Sequence, residues 1–192
     1  MVGDFAHDHD YAYESKTGPT IPLDFPRFAL NRWSVKAFNA LYYGKVAEGV
    51  SQQQVSVDQF FYPLDAIGQW NRIYGKQGFV QYQFILPKAN SEEGLSEILQ
   101  RISESGMGSF LAVLKLYGAQ NDNWLSFPLE GYSLALDFKI QDGLFTLLDE
   151  LDLLVLHYGG RIYLAKDARM SQAVFEQGYP KVEAFRQLRQ DL

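Results

Sequence analysis

FVQYQFILPKANSEEGLSEILQRISESGMGSFLAVLKLY, residues 79–117, decides how the rest of the chain is read. Residues 79–86 alternate in side-chain character and stop at Pro87, which predicts a strand. Ser91-Glu92-Glu93-Gly94 opens a helix with Leu95, Ile98, Leu99 and Ile102 on one face, ending near Gly106. Residues 109–117 predict a second strand. Toward the C-terminus, 118–128 reads as a loop and 131–140 as a third strand. A helix over 142–158 follows, with Leu144, Leu147, Leu148, Leu151, Leu154 and Val155 on its buried side. Gly159-Gly160 stops it, and 161–164 forms a short fourth strand. The order β-α-β-β-α-β predicts an α+β fold: a ferredoxin-like antiparallel sheet with both helices on one face. Short additional helices are expected at 170–178 and 180–190. Toward the N-terminus, 64–74 reads as a helix opened by Pro63, 55–62 as a strand and 28–46 as a helix. In that helix Leu30, Trp33, Phe38, Leu41 and Tyr42 lie near one side. Residues 1–27, with Thr17-Gly18-Pro19, Pro22 and Pro26, read as an extended arm or linker before a domain over 28–192.

Composition bounds the function. The 192 residues (21.9 kDa) carry 17 Lys+Arg against 23 Asp+Glu, a net charge of −6 and a pI near 5.0. That balance argues against nucleic acid as a partner and against a generic binder of anionic membranes. With no cysteine, thiol nucleophiles, disulfides, Fe–S clusters and cysteine zinc sites are excluded. Fourteen Phe, 12 Tyr and 3 Trp exceed what an average core needs, so many rings are expected to line something. No signal peptide or apolar run of spanning length is visible, so the expected setting is cytoplasmic, or peripheral at the inner membrane face.

Strand alternation places chemistry on the sheet. Val80, Tyr82, Phe84 and Leu86, with Phe110, Ala112, Leu114 and Leu116 and with Tyr132, Leu134, Leu136 and Phe138, are the sets assigned to the helices. That leaves Gln81, Gln83, Lys115, Tyr117, Ser133 and Ala135 on the free face. A solvated sheet face and a polar–apolar pocket wall both accommodate this set. Other features carry less. His7-Asp8-His9-Asp10 is read as a solvated tail, Gly106-Met107-Gly108 as a turn, and His157 as a helix-end histidine complementing the dipole. No Gly-x-Ser-x-Gly elbow, Walker lysine or zincin pair supports a hydrolase or kinase.

Gly159-Gly160-Arg161-Ile162-Tyr163-Leu164-Ala165-Lys166-Asp167 is more specific. With Trp70-Asn71-Arg72-Ile73-Tyr74-Gly75, Gln81-Tyr82-Gln83-Phe84 and Ser126-Phe127-Pro128, it resembles the C-terminal half of the decaprenylphosphoryl-ribose 2-oxidase family. These are FAD enzymes of the vanillyl-alcohol-oxidase type, related to the aldonolactone oxidases. The resemblance runs from about Pro19 to the end, with the motifs in family order. It implies a substrate-binding cap domain whose FAD is held mainly by an N-terminal FAD-binding partner domain outside these residues. It implies that Lys166 approaches the flavin N1/C2=O edge as the catalytic cation, and that Tyr163 contacts flavin or substrate. Gln83 and Lys115 would bind sugar hydroxyls or phosphate, with Gln81, Tyr117, Ser133 and Phe61 completing the wall. Tyr163 stands where the aldonolactone oxidases have the His of a His-x-x-Lys motif, which favours a lipid-linked sugar over a free lactone. Three positions depart from the mycobacterial pattern: Ser133 for Asn, Ala135 for Cys and Phe61 for Tyr. The resemblance further implies oxidation of the ribose C2 hydroxyl, with a separate short-chain reductase as partner. The chain alone is then expected neither to retain FAD nor to turn over. An aldonolactone oxidase domain and a stand-alone ferredoxin-like binding module remain as alternatives.

Overall fold

The computed structural model describes residues 18–26, 29, 31–44, 52–62, 67–109, 111–167 and 169–191. His7-Asp8-His9-Asp10, most of the expected arm, Leu30, residues 64–66 and Phe110 lie outside them. The chain divides into two compact units, Met1–Gly78 and Phe79–Leu192.

The second unit has the expected topology. Its strands are β1 (Phe79–Pro87), β2 (Ala112–Tyr117), β3 (Gly131–Lys139) and β4 (Arg161–Ile162), in the antiparallel order β2-β3-β1-β4. The central pair runs from Phe79 opposite Lys139 to Pro87 opposite Gly131. Two long helices, Ser91–Ser105 and Leu144–His157, link the strands, and Gln172–Gly178 and Val182–Asp191 follow. In chain order, after two helices in the first unit, these four are α3, α4, α5 and α6. This is the α+β, ferredoxin-like arrangement.

α3 begins with Glu92 and Glu93, which complement the helix dipole, and ends at Gly106 in the left-handed region (φ 72°). Ile98 and Ile102 of α3 meet Leu144, Leu147, Leu148, Leu151 and Val155 of α4 over Tyr82, Phe84, Leu86, Leu134, Leu136 and Phe138. Each such side chain contributes roughly 1.5–3 kcal/mol by leaving water, so this one layer dominates the unit's stability. Gly160 makes the tight return from α4 to β4. A Cβ there would lie 2.3 Å from the carbonyl oxygen of Ile85.

Four expectations are corrected. Leu99, expected on the buried face of α3, is exposed. Ala112, Leu114 and Leu116 project on the helix side of β2, yet they are exposed, because the two helices cover the central strands and stop short of this edge. The segment 55–62 is no strand: Val57–Phe61 forms the short helix α2, with Phe60 N donating to Ser56 O (3.1 Å) and Tyr62 N to Asp58 O (2.8 Å). Valines and aromatics favour strands only beside a partner strand, whereas a helical turn satisfies its own backbone. Of the expected 64–74 helix, the described residues 67–74 form only a 3-10 turn, Trp70–Tyr74, which begins after Gln69 in a left-handed conformation (φ 53°).

The rest of the first unit is small. Helix α1 (Arg32–Tyr43) starts at Asn31, whose Oδ1 accepts from the backbone N–H groups of Trp33 (2.7 Å) and Ser34 (3.1 Å). Thr20 bridges Gly68, and Phe25 N donates to Arg72 O at 2.9 Å, so residues 20–25 run along the Trp70–Tyr74 turn.

Candidate functional site

The sheet face opposite α3 and α4 collects most of the expected residues. Strand pairing sets Lys115 beside Ser133, Ser133 beside Ile85, Ala135 beside Gln83, and Asp137 beside Gln81. Two side-chain links result. Gln83 Nε2 donates to Ser133 Oγ at 3.1 Å, with both residues buried. Gln81 Nε2 donates to Asp137 Oδ1 at 2.8 Å, and Asp137 is 1% exposed. Buried amides and carboxylates persist where their hydrogen bonds are made, and these two pairs meet that condition. Lys115 stands exposed on the edge strand beside them.

This face is not bare, as alternation alone predicts. The segment after β2 folds onto it and seats Phe127 and Leu129 on Ile85, forming a second apolar cluster. Phe127 lies between two of the expected residues. Its ring meets Tyr163 at 4.6 Å between centroids and Tyr117 edge-on at 6.0 Å. Arg161 holds this segment in place: one guanidinium nitrogen donates to Ser126 O at 2.7 Å and another to Gln120 Oε1 at 3.3 Å. The same guanidinium lies over the Tyr179 ring at 5.6 Å, and burial lowers its pKa from the ordinary arginine value.

Tyr163 leaves β4 with its N–H on Gln83 O (2.8 Å), so the strand after Gly159-Gly160 is tied to the same row of the sheet. One 3-10 turn later, in Leu164–Lys166, stands Lys166, exposed and without an ion pair among the described residues. Asp167 follows, its Oδ1 accepting from the N–H groups of Arg169 (3.0 Å) and Met170 (2.7 Å). Arg169 in turn grips Asp152 on α4, and Asp152 accepts from Tyr82 Oη at 2.9 Å. Burial raises the Tyr82 phenol well above its usual range and pushes the Asp152 carboxyl up against the pull of Arg169. Burial draws the Arg169 guanidinium down, but its bonds to Asp152 outweigh that and leave it raised.

Gln81, Gln83, Lys115, Tyr117, Ser133 and Tyr163 thus share one face of the second unit, with Lys166 one turn beyond. Phe61 lies in the first unit, exposed on α2 with its ring edge-on to Phe60 at 5.0 Å. Phe127, Asp137, Arg161, Asp152 and Arg169 were not among the expected site residues. Phe127 was legible in Ser126-Phe127-Pro128. Asp137 shares the phase of Ser133 and Ala135, and Asp152 the phase of Leu148, Leu151 and Val155, each a charge at a buried position.

Fold and face together define a ferredoxin-like α+β domain carrying an aromatic-walled face in which Gln83, Ser133 and Asp137 are buried, with an exposed lysine turn beside it. No protein-family model matches the chain. Over 174 residues, 90% of the chain, it is 40% identical to the decaprenylphosphoryl-β-D-ribose oxidase of Mycolicibacterium smegmatis. It is also 37% identical over 99 residues, 51% of the chain, to an uncharacterized protein in the mprA 5′ region of Streptomyces coelicolor. The matches cover 37% and 27% of those longer proteins. The chain is a homologue of part of decaprenylphosphoryl-β-D-ribose oxidase, the family its motifs resemble. No helix among the described residues is long and apolar enough to cross a membrane.

Proposed function

We propose that this chain is the substrate-side domain of a flavin-dependent oxidase acting on a secondary hydroxyl of a polyprenyl-phosphoryl ribose. The observation that carries the reading is the 40% identity to an oxidase of that substrate over nine-tenths of the chain. The residues present suit a flavin and a sugar: an exposed cation, an aromatic wall of Tyr117, Phe127 and Tyr163, and amide and hydroxyl groups at Gln81, Gln83 and Ser133.

FAD, when bound, supplies the hydride acceptor. Lys166 would hold its N1/C2=O edge, where a fixed ammonium neutralises negative charge that grows during transfer. Tyr163 and Phe127 would exclude water beside it. Gln83 and Lys115 would orient the sugar and its phosphate, and Gln81, Tyr117 and Ser133 would complete the wall. Orientation is worth much here, because the C–H bond must lie along the line of transfer while the hydroxyl proton leaves toward a base. The remaining partners in this reading are an N-terminal FAD-binding domain and a short-chain reductase that takes up the ketone.

The test is Lys166→Ala in the full-length polypeptide, with flavin reduction by substrate followed by rapid mixing. A loss of about 10²–10³-fold in the reduction rate is expected for removing one charge-stabilising donor. An unchanged rate would sink the role given to Lys166. Assaying free aldonolactones beside polyprenyl-phosphoryl ribose separates the two sugar-oxidase readings, since only the first requires the lipid phosphate.

A further inference from the structure

We infer that Arg169, Asp152 and Tyr82 form a positioning device for the Lys166 turn. The inference rests on the reading of Lys166 as the functional cation.

Asp152 sits at a core position of α4, 1% exposed, where leucine would be expected. The Arg169 guanidinium meets its two carboxylate oxygens through two nitrogens, each at 2.9 Å, and also reaches Asp149 at 2.6 Å. Tyr82 Oη, from β1, supplies the third bond to Asp152 at 2.9 Å. A buried ion pair is a poor source of stability, because desolvating both charges offsets their attraction, and apolar replacements are often neutral or better. What a guanidinium fork on a carboxylate does supply is a fixed distance and a fixed plane.

The object so fixed is the segment around Lys166. A lysine has four rotatable bonds, so its ammonium is placed only as well as its backbone. That backbone has few bonds of its own: Lys166 N to Tyr163 O at 3.1 Å and Asp167 N to Leu164 O at 3.4 Å. It is anchored on both sides instead. Before the turn, Tyr163 N is bonded to Gln83 O at 2.8 Å. After it, Asp167 Oδ1 caps the N–H groups of Arg169 and Met170, and Arg169 is bonded to Asp152 and through it to Tyr82. Both anchors therefore end on adjacent residues of β1, the first on the Gln83 backbone carbonyl and the second on the Tyr82 hydroxyl, so the turn is held between two fixed points of one strand. Arg169 and Asp152 act through Lys166, which makes them positioning residues.

The experiment uses the full-length, flavin-loaded polypeptide with Arg169→Lys, with the paired apolar change Asp152→Leu and Arg169→Met, and with each repeated in a Lys166→Ala background. Amide hydrogen exchange over 163–170, the thermal midpoint, kcat and KM are read for each. Outer partners that orient the ligands of a metal centre are commonly worth about 10–100-fold in activity. On that scale Arg169→Lys is expected to speed exchange over 163–170 and lower kcat by at least about tenfold, with KM within about twofold. Exchange in α4 and β1 should be unchanged, and the substitution should cost nothing further once Lys166 is Ala. The apolar pair, made together with Tyr82→Phe so that no buried hydroxyl is left without a partner, is expected to keep the parent thermal midpoint while losing kcat. Unchanged exchange over 163–170, or a kcat loss that persists in the Lys166→Ala background, would overturn the inference. Parent turnover in Lys166→Ala alone would remove the role of Lys166 itself, and the exchange result would still decide whether the triad holds the turn.

Discussion

Gly160 shows how a single residue sets the position of the whole Lys166 segment. Its backbone N–H closes α4 on Val155 O at 2.8 Å, and its missing side chain lets β4 lie against Ile85 of β1. Gly160→Ala puts a methyl group 2.3 Å from a backbone carbonyl, so β4 must shift. The expected cost is about 1–3 kcal/mol, read as a lower urea midpoint with unchanged slope. An unchanged midpoint would show that β4 gives way freely. Gly159-Gly160 was legible as a helix stop, but the close approach to Ile85 was not, since only strand pairing brings residues 85 and 160 together. Gln83 and Ser133 were likewise legible as sharing a face. Their hydrogen bond was not, because it depends on a diagonal offset between strands 50 residues apart.

At the scale of elements, the strands and helices with strong periodicity were readable and their coverage was not. β1, β3, α3 and α4 alternate or repeat strongly and occur where expected. Leu114 and Leu116 alternate just as well, yet remain exposed at 56% and 63%, because α3 and α4 stop short of this edge strand. The 118–128 segment contains no periodicity and reads only as a loop. Its place on the sheet is fixed by Phe127 in the aromatic cluster and by the Arg161 bond to Ser126 O. Arg161→Ala is expected to release it, increasing chymotryptic cleavage after Trp124 severalfold, mapped by mass spectrometry. Equal cleavage in parent and variant would mean that the aromatic contacts suffice. The segment 55–62 failed for the opposite reason: its residues favour a strand, and among the described residues no strand lies beside it to accept its backbone.

Across the molecule, two buried phenols couple stability to alkaline pH. Burial raises the pKa of both Tyr82 and Tyr179, and the Tyr179 hydroxyl donates to Ile162 O at 2.6 Å. In the folded state they keep their protons at pH values where the unfolded chain, with phenols near 10, gives them up. Their contribution is fully present below pH 10 and is lost as pH rises above it, by up to about 1.4 kcal/mol per pH unit for each. Urea midpoints are expected to be level from pH 8 to 9.5 and to fall above 10, with a shallower fall in Tyr82→Phe and Tyr179→Phe. A slope identical in both variants would assign the alkaline transition to other groups.

The central place of β1 also has a consequence in time. Phe84 pairs with Ile162, which follows it by 162 − 84 = 78 residues. At synthesis rates of about 5–20 residues per second, the strand leaves the ribosome roughly 4–16 s before its last neighbour exists. Both edges of FVQYQFIL are open until β3 is made, and the edge that β4 will take stays open throughout that interval. Nascent chains of this protein are therefore exposed to misassociation for seconds at a stretch, and slower translation would lengthen the hazard.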